Sequence, residues 1–95
     1  MEYPKEWSEK ANSLVRGFQF ENFVEAVAFV AKIVPIAEGM NHHPDVEIFS
    51  YNKVRIKLKT HDAGNRITEK DVALAEKISV LFEGAKFDKA RKITE

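Results

Sequence analysis

The sequence predicts an α+β fold: a four-stranded antiparallel sheet with two long helices packed on one face, in the order β-β-α-β-β-α. Three observations lead there. Apolar residues recur at helical spacing twice, from about 23 to 37 and again from Val72 to Phe82. Between these stretches Val54, Ile56 and Leu58 alternate with Lys53, Arg55, Lys57 and Lys59, the period of a strand with one apolar and one cationic face. Ahead of the first helix, Phe18 and Phe20 flank Gln19 and share a face by the same period. An antiparallel sheet tolerates a solvated face, so the helices need to cover only the apolar one.

Taken in order, Ala11-Asn12-Ser13 reads as a turn and Leu14 to Phe20 as a strand, with Trp7 opening its partner strand. Arg16 and Gly17 interrupt the alternation. Asn22 and Glu25 have the spacing of a helix N-cap and its reciprocal partner. Phe23, Ala26, Val27, Val30, Val34 and Ala37 then form a wide stripe that buries the first helix, which runs on toward His42. Pro35 removes one backbone donor and clashes with the preceding turn, predicting a kink or local break. After Pro44 the period changes to that of strands, Val46 and Ile48 in one and Val54 to Leu58 in the next, joined at Ser50-Tyr51-Asn52. By parity His61 points with the lysines, at the entry to an Asp62-Ala63-Gly64-Asn65 loop. Thr68 with Asp71 starts the second helix, Val72, Ala75, Ile78 and Phe82 line it, Leu74 and Leu81 widen it, and Gly84 stops it. Ala85 to Glu95 is charged and reads as a short terminal helix or a frayed tail.

Composition sets the class. With 95 residues there is material for one domain, 1–95, and 44% apolar against 32% charged residues is the balance of a folded globular chain. The absence of cysteine excludes a disulfide framework and a thiolate zinc site. Fifteen basic residues balance fifteen acidic ones without a long single-sign block, so neither nucleic acid nor an anionic membrane is the expected partner. The N-terminus lacks a signal-peptide pattern and no apolar run reaches the roughly 18 residues of a spanning helix, which makes the cytoplasm the expected location. A sheet of four strands leaves edges that need cover, so a homo-oligomer is expected.

Chemistry concentrates in Glu38-Gly39-Met40-Asn41-His42-His43-Pro44-Asp45, where a helical pattern meets a strand pattern. Pro44 pushes His43 toward extended backbone while His42 can still belong to the last helical turn, so the two imidazoles should leave the chain in different directions. Imidazole is the side chain that most readily takes or gives a proton near neutrality. Read alone, His42 is equally a helix C-terminal residue favoured by the dipole. Three neutral imidazoles would also suffice for a catalytic zinc site, but the helical i,i+4 histidine pair is absent and side chains at a helix end diverge. Asp71 reads first as a helix-start residue. Glu38 lies four residues before His42, on the same helical face, able to orient that ring or to remain a solvated carboxylate. Trp7, the only tryptophan, reads as core.

Taken together, Glu38-x-x-x-His42-His43-Pro44, Tyr51-Asn52-Lys53-Val54, Thr60-His61-Asp62 and Asp71 resemble the signature of pterin-4a-carbinolamine dehydratases. The resemblance starts at Trp7, passes through Phe18-Gln19-Phe20-Glu21-Asn22-Phe23 and Ala26-x-x-Phe29, and runs to Asp71-x-x-Leu74-Ala75. It implies a dimer or dimer of dimers that eliminates water from a 4a-hydroxytetrahydropterin to give the quinonoid dihydropterin, with no metal or organic cofactor. His42 and His43 would be the acid-base pair, His61 would bind and orient the pterin with a share in proton transfer, and Asp71 matches the family aspartate. Glu38 and Asn41 would border the pocket, Pro44, Thr60, Asp62 and Ala63 belong to segments that would hold the pterin's polar edge, and Trp7 matches a tryptophan near the site. Two departures stand out: the Ala63 to Ile67 loop is one residue longer than the family pattern, which can re-aim His61 or Asp71, and Pro35 is unusual in the first helix.

Two other readings compete. Some animal relatives serve as dimerisation cofactors of a homeodomain transcription factor, which would make this an interaction module with an exposed apolar helix face. Alternatively the cationic strand face, Lys57 and Lys59 included, would draw a phosphorylated, molybdopterin-like substrate.

Overall fold

The computed structural model describes residues 1–84 and the backbone of 91–93. Its elements are β1 (Ser8–Lys10), β2 (Ser13–Gln19), α1 (Phe23–Met40), β3 (Asp45–Phe49), β4 (Lys53–Leu58), α2 (Glu69–Gly84) and a short β5 (Arg91–Ile93). Strands β1 to β4 form an antiparallel sheet in the order β1-β2-β4-β3. Strand β5 pairs with Gly17–Gln19 of β2, the part of that edge which three-residue β1 does not reach. Arg91–Ile93 is therefore a strand where a short terminal helix or a frayed tail was expected, because the long β2 still had backbone groups to pair. The rest of that expectation falls at 85–90 and 94–95, outside the described residues.

Local chemistry accounts for the turns. Ala11 and Asn12 both take left-handed backbone, φ 50° and 65°, the two-residue turn whose twist matches a hairpin. Ser50 and Tyr51 do the same between β3 and β4, φ 49° and 56°. Asn52 then ties that hairpin to the exit of β2: its Nδ2 donates to the Phe20 carbonyl at 2.9 Å and its own carbonyl accepts from the Phe20 amide at 2.8 Å.

The inner face of the sheet carries Leu14, Phe18, Val54, Ile56 and Leu58, all without solvent exposure. Phe18 and Phe20 meet Phe29 of α1 and Phe82 of α2 in a ring cluster with centroids 4.9 to 5.9 Å apart. Each buried phenylalanine contributes on the order of 2 kcal/mol. The helices cross the sheet antiparallel: Phe29 meets Phe82 at one end, and the residues after α1 meet the start of α2 at the other.

Two expectations about the inner layer are corrected. The buried stripe of α1 is Ala26, Phe29, Ile33 and Ala37, whereas Phe23, Val27 and Val34 of the predicted stripe stand 54%, 42% and 55% exposed. This helix is apolar around most of its girth, so periodicity does not single out the face that meets the sheet. Pro35 does not break it, and α1 continues to Met40.

Arg16 does not interrupt β2. It points inward at the same parity as Leu14 and Phe18, 2% exposed, with its guanidinium carbon 4.5 Å from the centre of the Phe18 ring and its Nη1 donating to Ser79 Oγ at 2.9 Å. Burial lowers the Arg16 pKa from its ordinary value, opposed by the charges of Glu6 and Glu83. Among the described residues no helix is long and apolar enough to cross a membrane.

Candidate active site

The site is built where α1 ends. Asn41 adopts left-handed backbone, φ 51° and ψ 43°, a conformation that asparagine tolerates better than other side-chain-bearing residues. Its amide bonds the Glu38 carbonyl and the His42 amide bonds the Ala37 carbonyl, each at 3.1 Å, the paired closure of a Schellman motif. His42 therefore lies beyond the helix, not in its last turn as expected. The reversal at Asn41 carries its ring inward to α2, and His43 swings back over the helix end. Glu38 consequently meets His43 rather than His42, its helical neighbour by spacing.

His42 reaches Asp71, which has no solvent exposure. His42 Nε2 and Asp71 Oδ1 lie 2.6 Å apart. Asp71 Oδ2 accepts from the Thr60 hydroxyl at 2.8 Å and from the Thr68 amide at 2.8 Å. The last bond is the capping-box contact expected from the Thr68–Asp71 spacing, and Lys70 N–H donates to Thr68 Oγ1 at 3.3 Å to complete the cap. A carboxylate buried without partners would cost several kcal/mol, and these bonds offset that cost. The Thr60 and Thr68 hydroxyls also bond each other. Asp71 thus caps the helix and holds a histidine with the same two oxygens.

His43 and His61 are held differently. His43 Nε2 meets Glu38 Oε2 at 2.6 Å, with side chains 60% and 66% exposed. The chain after β4 closes into a single 3-10 turn, His61–Ala63, ended by left-handed Gly64 at φ 81°. His61 stands exposed there, its Nδ1 bonded to Asn65 Oδ1 at 2.9 Å. It faces solvent as parity suggested, but its direction is set by this turn, since the strand stops at Leu58.

These partners fix which ring nitrogens are open. A carboxylate or an amide oxygen accepts, so His42 and His43 present Nδ1 and His61 presents Nε2. Each ring is tethered by one nitrogen and offers the other.

Glu38, His43 and Pro44 line a cavity of about 190 Å³ with Val30, Ile33, Val34, Ala37 and Val46. Thr60, Asp62 and Ala63 line a second depression of about 700 Å³ with Met1 and residues 66–70. Asn41 is exposed at the cap, while Thr60, 7% exposed, turns its hydroxyl to Asp71. Trp7 is not brought to this cluster. Its Nε1–H donates to Ser79 Oγ at 2.8 Å, and Ser79 lies eight residues beyond Asp71, about 12 Å along the helix. The cationic residues of β4 face away from the helices and from the His42–Asp71 pair, with Arg55 bonded to Glu47 at 2.7 Å. Among the described residues no group of three His, Cys, Asp or Glu could hold a metal ion. Thr68, read only as a cap, is the member of the network that sequence reasoning missed. Its signal was the Thr-x-x-Asp spacing, which has a second meaning only once Thr60 and His42 are placed.

Residues 1–81 match the family model described as pterin 4 alpha carbinolamine dehydratase. A protein of Sulfurisphaera tokodaii, provisionally named pterin-4-alpha-carbinolamine dehydratase, is 56% identical over 78 residues, 82% of each chain. A Picosynechococcus protein with the same provisional name is 56% identical over 70 residues, 74% of each chain. Among solved structures, a transcriptional coactivator/pterin dehydratase from Brucella melitensis superposes with a TM-score of 0.73 at 32% identity, covering 81% of this chain and 82% of the other. A pterin dehydratase-like protein identified as a RuBisCO assembly factor in the alpha-carboxysome shares the fold, with a TM-score of 0.64 at 21% identity over 83% and 89% of the two chains. The chain belongs to the family that the model defines.

Proposed function

We propose that this member of the pterin carbinolamine dehydratase family removes water from a 4a-hydroxytetrahydropterin, giving the quinonoid dihydropterin, in tetrahydropterin recycling. The elimination needs a proton delivered to the departing hydroxyl and another withdrawn from the ring nitrogen, so the two transfers cancel and only water leaves. His42 and His43 are the acid-base pair, and His61 binds and orients the pterin with a share in proton transfer. Asp71 holds His42 and Glu38 holds His43; of the residues expected to border the substrate, Pro44 lines the hollow beside His43, and Asp62 and Ala63 line the second one beside Thr60. The observation that carries this reading is the 2.6 Å bond from the His42 ring to a fully buried carboxylate, which tethers one nitrogen of a proton-carrying side chain and leaves the other for substrate. The test is a dehydration assay with synthetic 4a-carbinolamine beside a protein-free control, because the reaction also runs slowly unaided. Acceleration over the control is expected, and a rate equal to the control overturns the assignment.

The exposed Phe23, Val27 and Val34 of α1 favour a homodimer or homotetramer that covers them. The same stripe supports a second reading, a non-enzymatic module that docks a partner protein there. The two readings separate in solution: a stripe covered by further copies of this chain supports the first, and a monomer with the stripe open supports the second.

A further inference from the structure

We infer that Thr60 and Thr68 are positioning residues for His42, acting through Asp71 along a one-way chain of hydrogen bonds. The inference rests on the dehydratase reading for its consequence in catalysis, though not for its geometry. A threonine hydroxyl has one proton to donate. That of Thr60 goes to Asp71 Oδ2 at 2.8 Å, so in its bond with Thr68 the Thr60 oxygen is the acceptor. The Thr68 proton is then spent on Thr60, and a Thr68 lone pair receives the Lys70 amide at 3.3 Å. The direct Thr68 Oγ1 to Asp71 Oδ2 separation is 3.5 Å, so the hydroxyl acts on the carboxylate through Thr60. Each proton has one use, and the chain runs Lys70 N–H, Thr68, Thr60, Asp71.

The consequence falls on Asp71 Oδ1. With Oδ2 held by the Thr60 hydroxyl and the Thr68 amide, the carboxylate cannot rotate, and Oδ1 stays on His42 Nε2. The chain joins residues just after β4, at the start of α2 and just after α1. It thereby fixes the ring whose Nδ1 the bond to Asp71 leaves unused. Such outer partners of a functional histidine orient it and select its tautomer.

The test uses the full chain, with nitrogen-15 imidazole spectra and steady-state dehydration kinetics measured together. In the wild type His42 should appear as the Nε2–H tautomer. Thr60→Val should mix the His42 tautomers and lower kcat about fivefold with KM within about twofold, and Thr60→Ser should restore both readouts. Thr68→Ala, one link further away, should shift both in the same direction by less, with the direct Thr60 bond to Asp71 retained. Thermal unfolding of each variant restricts the comparison to folded protein. A wild-type His42 protonated on Nδ1 alone, or a folded Thr60→Val with unchanged spectrum and kcat, overturns the inference. If the spectra respond as expected while no variant, wild type included, accelerates dehydration, the positioning stands and the dehydratase reading falls.

Discussion

His42 Nε2 and Asp71 Oδ1 lie 2.6 Å apart although 29 positions separate the two residues, and this contact joins the end of one helix to the start of the other. It closes the helix layer at the end opposite the Phe29–Phe82 contact. Asp71→Asn keeps the shape but replaces one acceptor oxygen with a donor in a place where only donors arrive. The variant should lose about 1–3 kcal/mol of stability by urea unfolding, since a buried donor is left facing another. Its dehydration rate should fall at least about tenfold. Unchanged stability would show that the carboxylate is not held as described.

The adjacent histidines should respond differently. His43→Ala removes an exposed ring whose pair with Glu38 is solvent-screened, so stability should change by no more than about 0.5 kcal/mol. The dehydration rate should nonetheless drop at least about tenfold, because general acid-base groups typically contribute 10² to 10⁴-fold. His42→Ala should lower both, costing about 2 kcal/mol by leaving Asp71 Oδ1 unpaired. A full-rate His43→Ala enzyme would remove this ring from the mechanism.

Association should depend on the outer face of α1. Val27 and Val34 are 42% and 55% exposed and share that face with Phe23. In sedimentation velocity the wild type should run as a homo-oligomer, and Val27→Glu with Val34→Glu should shift it to monomer while leaving circular dichroism unchanged. A wild type that sediments as a monomer at micromolar concentration contradicts the assignment.

Ser79 carries two buried donors. Trp7 Nε1–H and Arg16 Nη1 both end on its hydroxyl oxygen, at 2.8 and 2.9 Å. Ser79→Ala strands both and should cost about 1–3 kcal/mol, read as a lower urea midpoint with an unchanged slope. Arg16→Met should be no less stable than wild type. Its buried guanidinium leaves Nε and Nη2 without hydrogen-bond partners, and replacing a buried charge by an apolar side chain of similar volume is often neutral or stabilising. A strongly destabilised Arg16→Met would show that the contacts with Phe18 and Phe82 dominate.

Much of the architecture was legible because it is local. The alternation of Val54, Ile56 and Leu58, the Thr68–Asp71 cap and the Asn22 cap are set by neighbours a few positions away and appear as expected, except that Glu25 returns its bond to the amide of Glu21, one residue before Asn22. Where a second solution satisfied the same local rule, the sequence could not choose. α1 is apolar on more than one side, so its buried stripe depended on which side met Phe18 and Phe82. A parity break at Arg16 looks like an interruption until the Ser79 hydroxyl and the aromatic rings supply its surroundings.

By itself the sequence determined the order of the first four strands and two helices, the alternating strand and a corner at which two imidazoles diverge, because backbone conformation and side-chain period are decided over a few residues. Tertiary structure alone decided the long-range pairings, His42 with Asp71 and Trp7 with Ser79, while the cap after α1 and the turn after β4 gave His43 to Glu38 and His61 to Asn65. The physical reason is the left-handed residue at Asn41, which reverses the chain between Glu38 and His42. Helical spacing places those two side chains on one face only while the helix lasts, and it ends at Met40. From there the direction of each ring follows from what the packed helices and the turn after β4 bring beside it.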